Sequence, residues 1–201
     1  MQALIVVDVQ NDFLPEGALG VKGGDEILPV IIKLMETVPY CVASQDFHPK
    51  GHVSFASTHD QKVGSSIMCD GETQILWPDH CVEGTEGVAF SIALPQERID
   101  HIVHKGTHQN KDAYSAFEGT DLEMHLKEKG IDHLIVAGLA TDYCVLNTVC
   151  DALKLGFAVE VVLDGVKAVN LHEGDGDRAL ETMKLRGASL TRSKDVLCRQ
   201  F

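Results

Sequence analysis

The sequence predicts an α/β fold of three layers, α/β/α, built around a mostly parallel sheet of about six strands. Short β-type runs alternate with segments of helical spacing along the 201 residues, the pattern of strands joined by crossover helices. The first run, ALIVVDV at 3–9, is apolar and β-branched almost throughout, as a parallel strand covered on both faces must be. No repeat, low-complexity tract or internal boundary divides the chain, so residues 1–201 read as one domain.

Residues 3–9 make the first strand, with Asp8 at its carboxyl end, where a charge must be paired or face solvent. Gly17, Gly20, Gly23 and Gly24 form a flexible connection. Asp25 is placed to cap a helix at 25–38 that buries Ile27, Leu28, Ile31, Ile32, Leu34 and Met35, and Pro29 is near enough to its start to be tolerated. The second strand, YCVAS at 40–44, runs directly into Asp46 and His48. Residues 51–95 carry glycine, proline and histidine with little periodicity and read as an elaborated loop, a kind of segment that in compact domains is usually functional.

A third strand at 101–104 is followed at once by Lys105 and Gly106, and a short helix at 122–129 ends at Gly130. The stretch HLIVAGLATDYCV at 133–145 is the centre of the pattern. Its apolar run at 134–137 is too short for a buried helix, Gly138 breaks it, and helical spacing resumes over 143–155 with Val145, Val149, Ala152 and Leu153 apolar. That is a strand, a tight corner and a helix, with Cys144 in the corner. Gly156 closes the helix, AVEVVL at 158–163 is a fifth strand leading to Asp164 and Gly165, a last helix spans 175–185, and 188–190 supplies a sixth strand.

Composition narrows the partners. Seventeen basic against thirty acidic residues leave a net charge of −13, which disfavours nucleic acid and anionic membrane as partners; the acidity itself reads as simple solubility. Self-association into a homo-oligomer stays open. The amino terminus has neither a basic flank nor a cleavage site, and no apolar run approaches twenty residues, so a cytoplasmic chain is expected. Six cysteines without CxxC spacing make a disulfide framework or a cysteine-rich zinc site a poor fit, and most read as reduced thiols. Of ten histidines, four (His48, His52, His59 and His80) fall within 46–80, a clustering that asks for a cause.

In open parallel sheets, ligands bind beyond the carboxyl ends of the strands. Asp8, Asp46 with His48, Lys105 and Cys144 each follow a different strand at that end. Each alone has an ordinary explanation: a helix cap, an Asx turn, a solvated charge, a small core residue. Their convergence on one edge favours a crevice that does chemistry. A cysteine in the first turn of a helix feels the positive end of the dipole, which is expected to lower its pKa toward the thiolate, and the free N–H groups there can hold an oxyanion. A carboxylate beside a thiol can take its proton and return it to a leaving amine, giving Asp8 the acid–base role and Cys144 the nucleophile's, with Lys105 as the neighbouring cation. Asp46 and His48, two residues apart, suit one end of a metal site whose third ligand comes from His52, His59 or His80. His101, His104, His125 and His133 read as strand-edge or helix-surface residues.

These residues sit in segments that resemble the nicotinamidases (pyrazinamidases) of the isochorismatase-like cysteine hydrolase family. The matching stretches are LIVVDVQNDFLPEGAL, VASQDFHPKGHVSF, ILWPDHCVEGTEG, KGT, YSAFEG and GLATDYCV, in that order over almost the whole chain. The resemblance implies a catalytic triad of Asp8, Lys105 and Cys144, a metal site of Asp46, His48 and His80, and an oxyanion hole from the N–H groups of Ala140 and Cys144 beside a cis Leu139–Ala140 peptide. It places a substrate ring between Phe13 and Trp77, its pyridine nitrogen toward the metal, with Tyr114 and Phe117 as further walls. His52 stands as a fourth ligand in some members and is left open here. The implied cofactor is one divalent ion, Zn2+ first, with Fe2+ and Mn2+ compatible with the same donors. The implied activity is hydrolysis of nicotinamide to nicotinate and ammonia through a thioester, in NAD salvage, with pyrazinamide accepted by the same pocket. Other hydrolases of the family act on isochorismate or N-carbamoyl compounds; Cys144 argues against the first and the Asp46, His48 and His80 set against the second. A catalytically silent sensor is a third reading, opposed by the fact that every implied catalytic position is filled.

Overall fold

A computed structural model describes residues 1–69 and 71–199. In chain order it contains β1 (Gln2–Val7), α1 (Leu28–Thr37), β2 (Cys41–Asp46), β3 (Ser66–Cys69), β4 (Glu72–Ile75), β5 (His101–Lys105), α2 (Leu122–Glu128), β6 (His133–Leu139), α3 (Leu146–Lys154), β7 (Ala158–Lys167), α4 (Asp175–Leu185), β8 (Ser189–Thr191) and α5 (Ser193–Leu197). Six of the strands form one sheet in the order β5-β2-β1-β6-β7-β8, and every pairing in it is parallel. The chain winds outward from β1 through β2 to β5, then crosses to β6 and winds the other way. The direction of winding therefore reverses between β1 and β6, and a crevice opens beyond the strand ends at such a point.

Alternation along the central strands builds the three layers. Ala3, Ile5, Val7, Leu134 and Val136 face one way, onto Leu122 and Leu126 of α2, Val149 and Ala152 of α3, and Ala179 and Met183 of α4. Leu4, Val6, Ile135 and Ala137 face the other way, onto Ile31, Leu34 and Met35 of α1 and Val196 of α5. All nine of these strand residues are fully buried, which is why their sequence reads as unbroken hydrophobicity rather than as alternation. No helix among the described residues is long and apolar enough to cross a membrane.

Several boundaries differ from the sequence expectation, each for a local reason. β2 and β5 continue to Asp46 and Lys105, because these two residues stand opposite each other in register and their opposite charges meet. β7 runs on to Lys167 past Asp164 and Gly165, accommodating a register shift against β6 between Val136 and Gly138. Asp25 does not cap α1: it lies inside a 3-10 turn, Gly24–Ile27, and α1 begins after it with Pro29 in its first turn. The 51–95 stretch contains a two-stranded hairpin, β3 with β4, whose first strand is mostly exposed and so leaves no hydrophobic period to read. Ser193 begins α5, which the sequence reading left out; Asp164 accepts bonds from both its N–H (2.8 Å) and its hydroxyl (2.6 Å), tying that short helix to β7.

Gly138 shows how tightly the central corner is drawn. Its φ is +125°, and a β-carbon there would lie 2.1 Å from the carbonyl oxygen of Val7 on the neighbouring strand. Gly138→Ala is expected to destabilise the protein by about 3 kcal/mol or more in urea unfolding, since it combines a clash with backbone and a disfavoured φ. Gly156→Ala, at φ +89° in open space, is expected to cost only about 1 kcal/mol by the same measurement.

Candidate active site

Four strand ends deliver the central side chains. Asp8 is the first residue after β1, with a left-handed φ of 48°, and it is completely buried. Its carboxylate accepts the Ser44 hydroxyl of β2 at 2.6 Å and lies 2.9 Å from the Lys105 ammonium. Lys105, the last residue of β5, is also buried, at 1% exposure. Its Nζ lies against Asp8, donates to Asp46, to the Ala113 carbonyl at 3.2 Å and toward the Cys144 sulfur at 3.4 Å. Cys144 sits in a wide π-type turn, Thr141–Val145, which joins β6 to α3, and the Leu139–Ala140 peptide at the entry to that turn is cis. Asp8, Lys105 and Cys144 thus meet in one dry cluster.

The electrostatics of this cluster correct one expectation. Burial pushes the Cys144 thiol well above its ordinary pKa; Lys105 opposes the shift, and Asp8 and Asp46 add to it. Loss of solvent therefore outweighs the Lys105 cation, and the shift runs away from the thiolate that a helix start by itself would favour. Burial also raises the pKa of Asp8, against the pull of Lys105. Burial alone would lower the Lys105 pKa, but Asp46 and Asp8 reverse it and hold the ammonium firmly protonated. A carboxylate with raised basicity, touching a neutral thiol, is an arrangement suited to proton transfer at the moment of attack.

Asp46 connects this cluster to the histidines. One carboxylate oxygen faces Lys105, and the other lies 3.5 Å from His48 Nε2 and 3.7 Å from His80 Nε2. Burial works against the Asp46 charge, yet Lys105 and then His48 keep its carboxyl well below the usual range. The other ring nitrogens face carbonyls: His48 Nδ1 is 2.9 Å from Gly106 O and His80 Nδ1 is 2.7 Å from Pro78 O. A carbonyl can only accept, so each Nδ1 carries a proton, and each Nε2 is turned toward Asp46. One carboxylate oxygen and two such nitrogens, within 4.8 Å of one another and buried, fit a divalent cation. Gly106 keeps this cradle open, since a β-carbon there would lie 2.4 Å from the His48 ring.

Of the remaining histidines, His52 lies beside this set, where its donor atom and those of His48 and Asp112 fall within 4.8 Å of one another. His52 stacks on His48 with ring centroids 4.1 Å apart, but its own nitrogens meet the Ser54 hydroxyl and the Lys111 carbonyl. Burial, then repulsion from His48, lowers its pKa to about 4. His59 donates to the Val53 carbonyl at 2.8 Å, away from Asp46. His101 stacks on His125, His104 on Phe47, and His133 pairs with Glu160, all at strand edges or helix surfaces.

A narrow cleft opens onto Cys144 and Ala140 at one side and Asp46 and His80 at the other. Phe13, Trp77 and Tyr114 line it, and the Trp77 indole N–H donates to the Tyr114 hydroxyl at 3.1 Å, fixing both rings. Phe117 does not line it: its half-buried ring packs on Phe157 against the core. Sequence reasoning missed Tyr143, Leu19, Asp112 and Val169, which complete the walls. Tyr143 had one signal, its place beside Cys144, but a helical wheel puts it at the surface; the wide turn swings it 5.1 Å from Trp77, edge to face.

The family model for the isochorismatase domain matches residues 2–195. A nicotinamidase of Escherichia coli (strain K12) is 43% identical over 202 aligned positions, covering 94% of this chain and 93% of that protein. Among solved structures, a nicotinamidase/pyrazinamidase of Acinetobacter baumanii superposes with a TM-score of 0.93 at 40% identity, covering 97% of each chain. A pyrazinamidase of Pyrococcus horikoshii in complex with zinc superposes at 0.81 with 39% identity, covering 95% of this chain and 98% of that one. On a sequence match of this length and a fold match of this closeness, the chain belongs to the isochorismatase family.

Proposed function

We propose that this protein is an amidohydrolase that converts nicotinamide to nicotinate and ammonia through a thioester on Cys144, and that it accepts pyrazinamide in the same cleft. The observation that carries this reading is the buried contact of Asp8, Lys105 and Cys144 at one side of an aromatic-walled cleft whose other side is lined by Asp46 and His80. Its likeness to the nicotinamidase of E. coli and the nicotinamidase/pyrazinamidase of A. baumanii supports the choice of substrate.

The steps follow from the residues in place. Phe13, Trp77, Tyr114 and Tyr143 bind the flat ring and exclude water from around the thiol. Asp8 removes the Cys144 proton as sulfur attacks the carboxamide carbon, forming the C–S bond. The oxyanion is taken up by the N–H groups of Ala140 and Cys144 on the corner after β6. Asp8 then returns the proton to nitrogen as the C–N bond breaks, and ammonia leaves. Water attacks the thioester with Asp8 again accepting a proton; the C–S bond breaks, nicotinate is released and the thiol is restored. Lys105 keeps its charge throughout and offsets the negative charge that builds on sulfur and oxygen. Asp46, His48 and His80 would hold a divalent ion, Zn2+ by analogy with the zinc complex of the P. horikoshii protein, and such an ion supplies Lewis acidity at the ring end of the cleft.

Purified protein is expected to release ammonia from nicotinamide, and Cys144→Ala to lower that release by at least about a thousandfold while circular dichroism stays unchanged. A Cys144→Ala protein with wild-type turnover would refute the thioester mechanism. Trp77→Ala should raise KM for nicotinamide about tenfold with a smaller change in kcat, because it removes a ring wall rather than a reacting group. Stripping metal with a chelator should abolish turnover, and adding back Zn2+, Fe2+ or Mn2+ singly should identify which ion restores it.

A further inference from the structure

We propose that Asp12, in the short turn after β1, is a positioning residue for the metal-binding set: it fixes the backbone at Cys81 and so aims the adjoining His80 imidazole at Asp46 and His48. The inference rests on the metal reading above and goes beyond the three ligands themselves.

The Asp12 carboxylate accepts the Cys81 N–H at 2.7 Å and the Ala18 N–H at 3.2 Å. Cys81 has a φ of 46°, in the left-handed region that side chains with a β-carbon avoid, so the surrounding contacts must hold it there. On its other side the Cys81 carbonyl accepts the His48 N–H at 3.0 Å. One residue, bonded through both of its backbone groups, therefore sets the separation between the segment past β2 that carries His48 and the loop that carries His80. Phe13, next to Asp12, packs on the His80 ring with centroids 5.5 Å apart.

The third ligand is held from the same turn. Gln10 accepts the Asp46 N–H at 2.9 Å and donates to the Asp46 carbonyl and the Val88 carbonyl, both at 2.8 Å. Residues 10–13 thus secure the backbone beside Asp46 and His80 directly, and beside His48 through Cys81. A loop ligand such as His80 has no sheet to fix it, so the bond from Asp12 is the one whose loss should loosen the set most.

Gly87 gives a second handle on that bond. The Asp12 N–H donates to the Gly87 carbonyl at 3.1 Å, and a β-carbon at Gly87 would lie 2.0 Å from the Asp12 carboxylate. No side chain can occupy position 87 while Asp12 keeps its bonds. Gly87→Ala should therefore displace the Asp12 carboxylate without altering its chemistry.

The test uses the full chain freed of metal, with Zn2+ affinity measured by competition against a chromophoric chelator and urea unfolding of the metal-free protein run in parallel. Asp12→Ala and Gly87→Ala are each expected to weaken Zn2+ binding about 10- to 100-fold, the range for loss of a group that orients a ligand. Asp12→Asn, which keeps an acceptor for the Cys81 N–H, should fall between these and wild type. The Asp12→Ala/Gly87→Ala double variant should bind no more weakly than either single variant, because both remove one bond. An Asp12→Ala or Asp12→Asn protein with lower unfolding stability but wild-type Zn2+ affinity would make Asp12 a purely structural tie and overturn the inference. So would strictly additive losses in the double variant. Wild-type protein that takes up no Zn2+, or His80→Ala protein that binds it as tightly as wild type, would instead overturn the metal reading, and this inference with it.

Discussion

A fully buried ammonium governs this molecule. Lys105 has lost its water, and a charge in that state persists only if oppositely charged groups take the place of solvent. Asp8 and Asp46 do so from two neighbouring strands, and the Ala113 carbonyl and the Cys144 sulfur occupy its remaining directions. Removing one carboxylate leaves an uncompensated buried charge, a loss of about 3–5 kcal/mol in comparable buried pairs. The proposed acid–base residue and the proposed metal ligand are therefore coupled through one cation, and neither can be altered without changing the environment of the other.

That coupling is a product of topology. Asp8 and Lys105 close the strands on either side of β2, Asp46 closes β2 itself, and Cys144 follows β6, across the point where winding reverses. A parallel sheet brings all four strand ends to one edge without any need for sequence proximity. The loops then finish what the sheet begins. The 51–95 stretch brings Trp77 and His80 over the edge, and the turn after β1 holds both the Asp46 backbone and the loop beside His80. Rigid strands fix the proposed reacting groups, while loops supply the walls and the proposed third ligand, the usual division between scaffold and specificity.

The state of the thiol shows how burial reshapes local chemistry. A cysteine at a helix start, beside a lysine, would be a thiolate in a half-exposed site. Here the same burial that strengthens the contact with Lys105 also withdraws solvent from sulfur, and the neutral thiol prevails. Asp8 is shifted in the same direction by the same cause. In the proposed mechanism the raised basicity of Asp8 lets it take the thiol proton as the carbonyl carbon approaches rather than beforehand. Phe13, Trp77, Tyr114 and Tyr143 line the cleft beside this cluster.

Much of this was legible in the residues themselves. Strand and helix alternation follows from apolar period and glycine punctuation, both local properties, so the three-layer fold and the strand ends at Asp8, Asp46, Lys105 and Cys144 could be read directly. The chain's order of motifs likewise pointed to its family. Other features depend on groups distant in the chain, and no local pattern encodes them. His80 joins Asp46 and His48, while His52 and His59 turn to Ser54 and Val53, because loop path rather than spacing decides which imidazole arrives. Tyr143 enters the cleft because a wide turn carries it there, while Phe117 turns to Phe157 at the core. The charge on Cys144 and the anchoring by Gln10 and Asp12 arise only once the parts are assembled, since solvent exclusion and through-space bonding exist only in the folded chain.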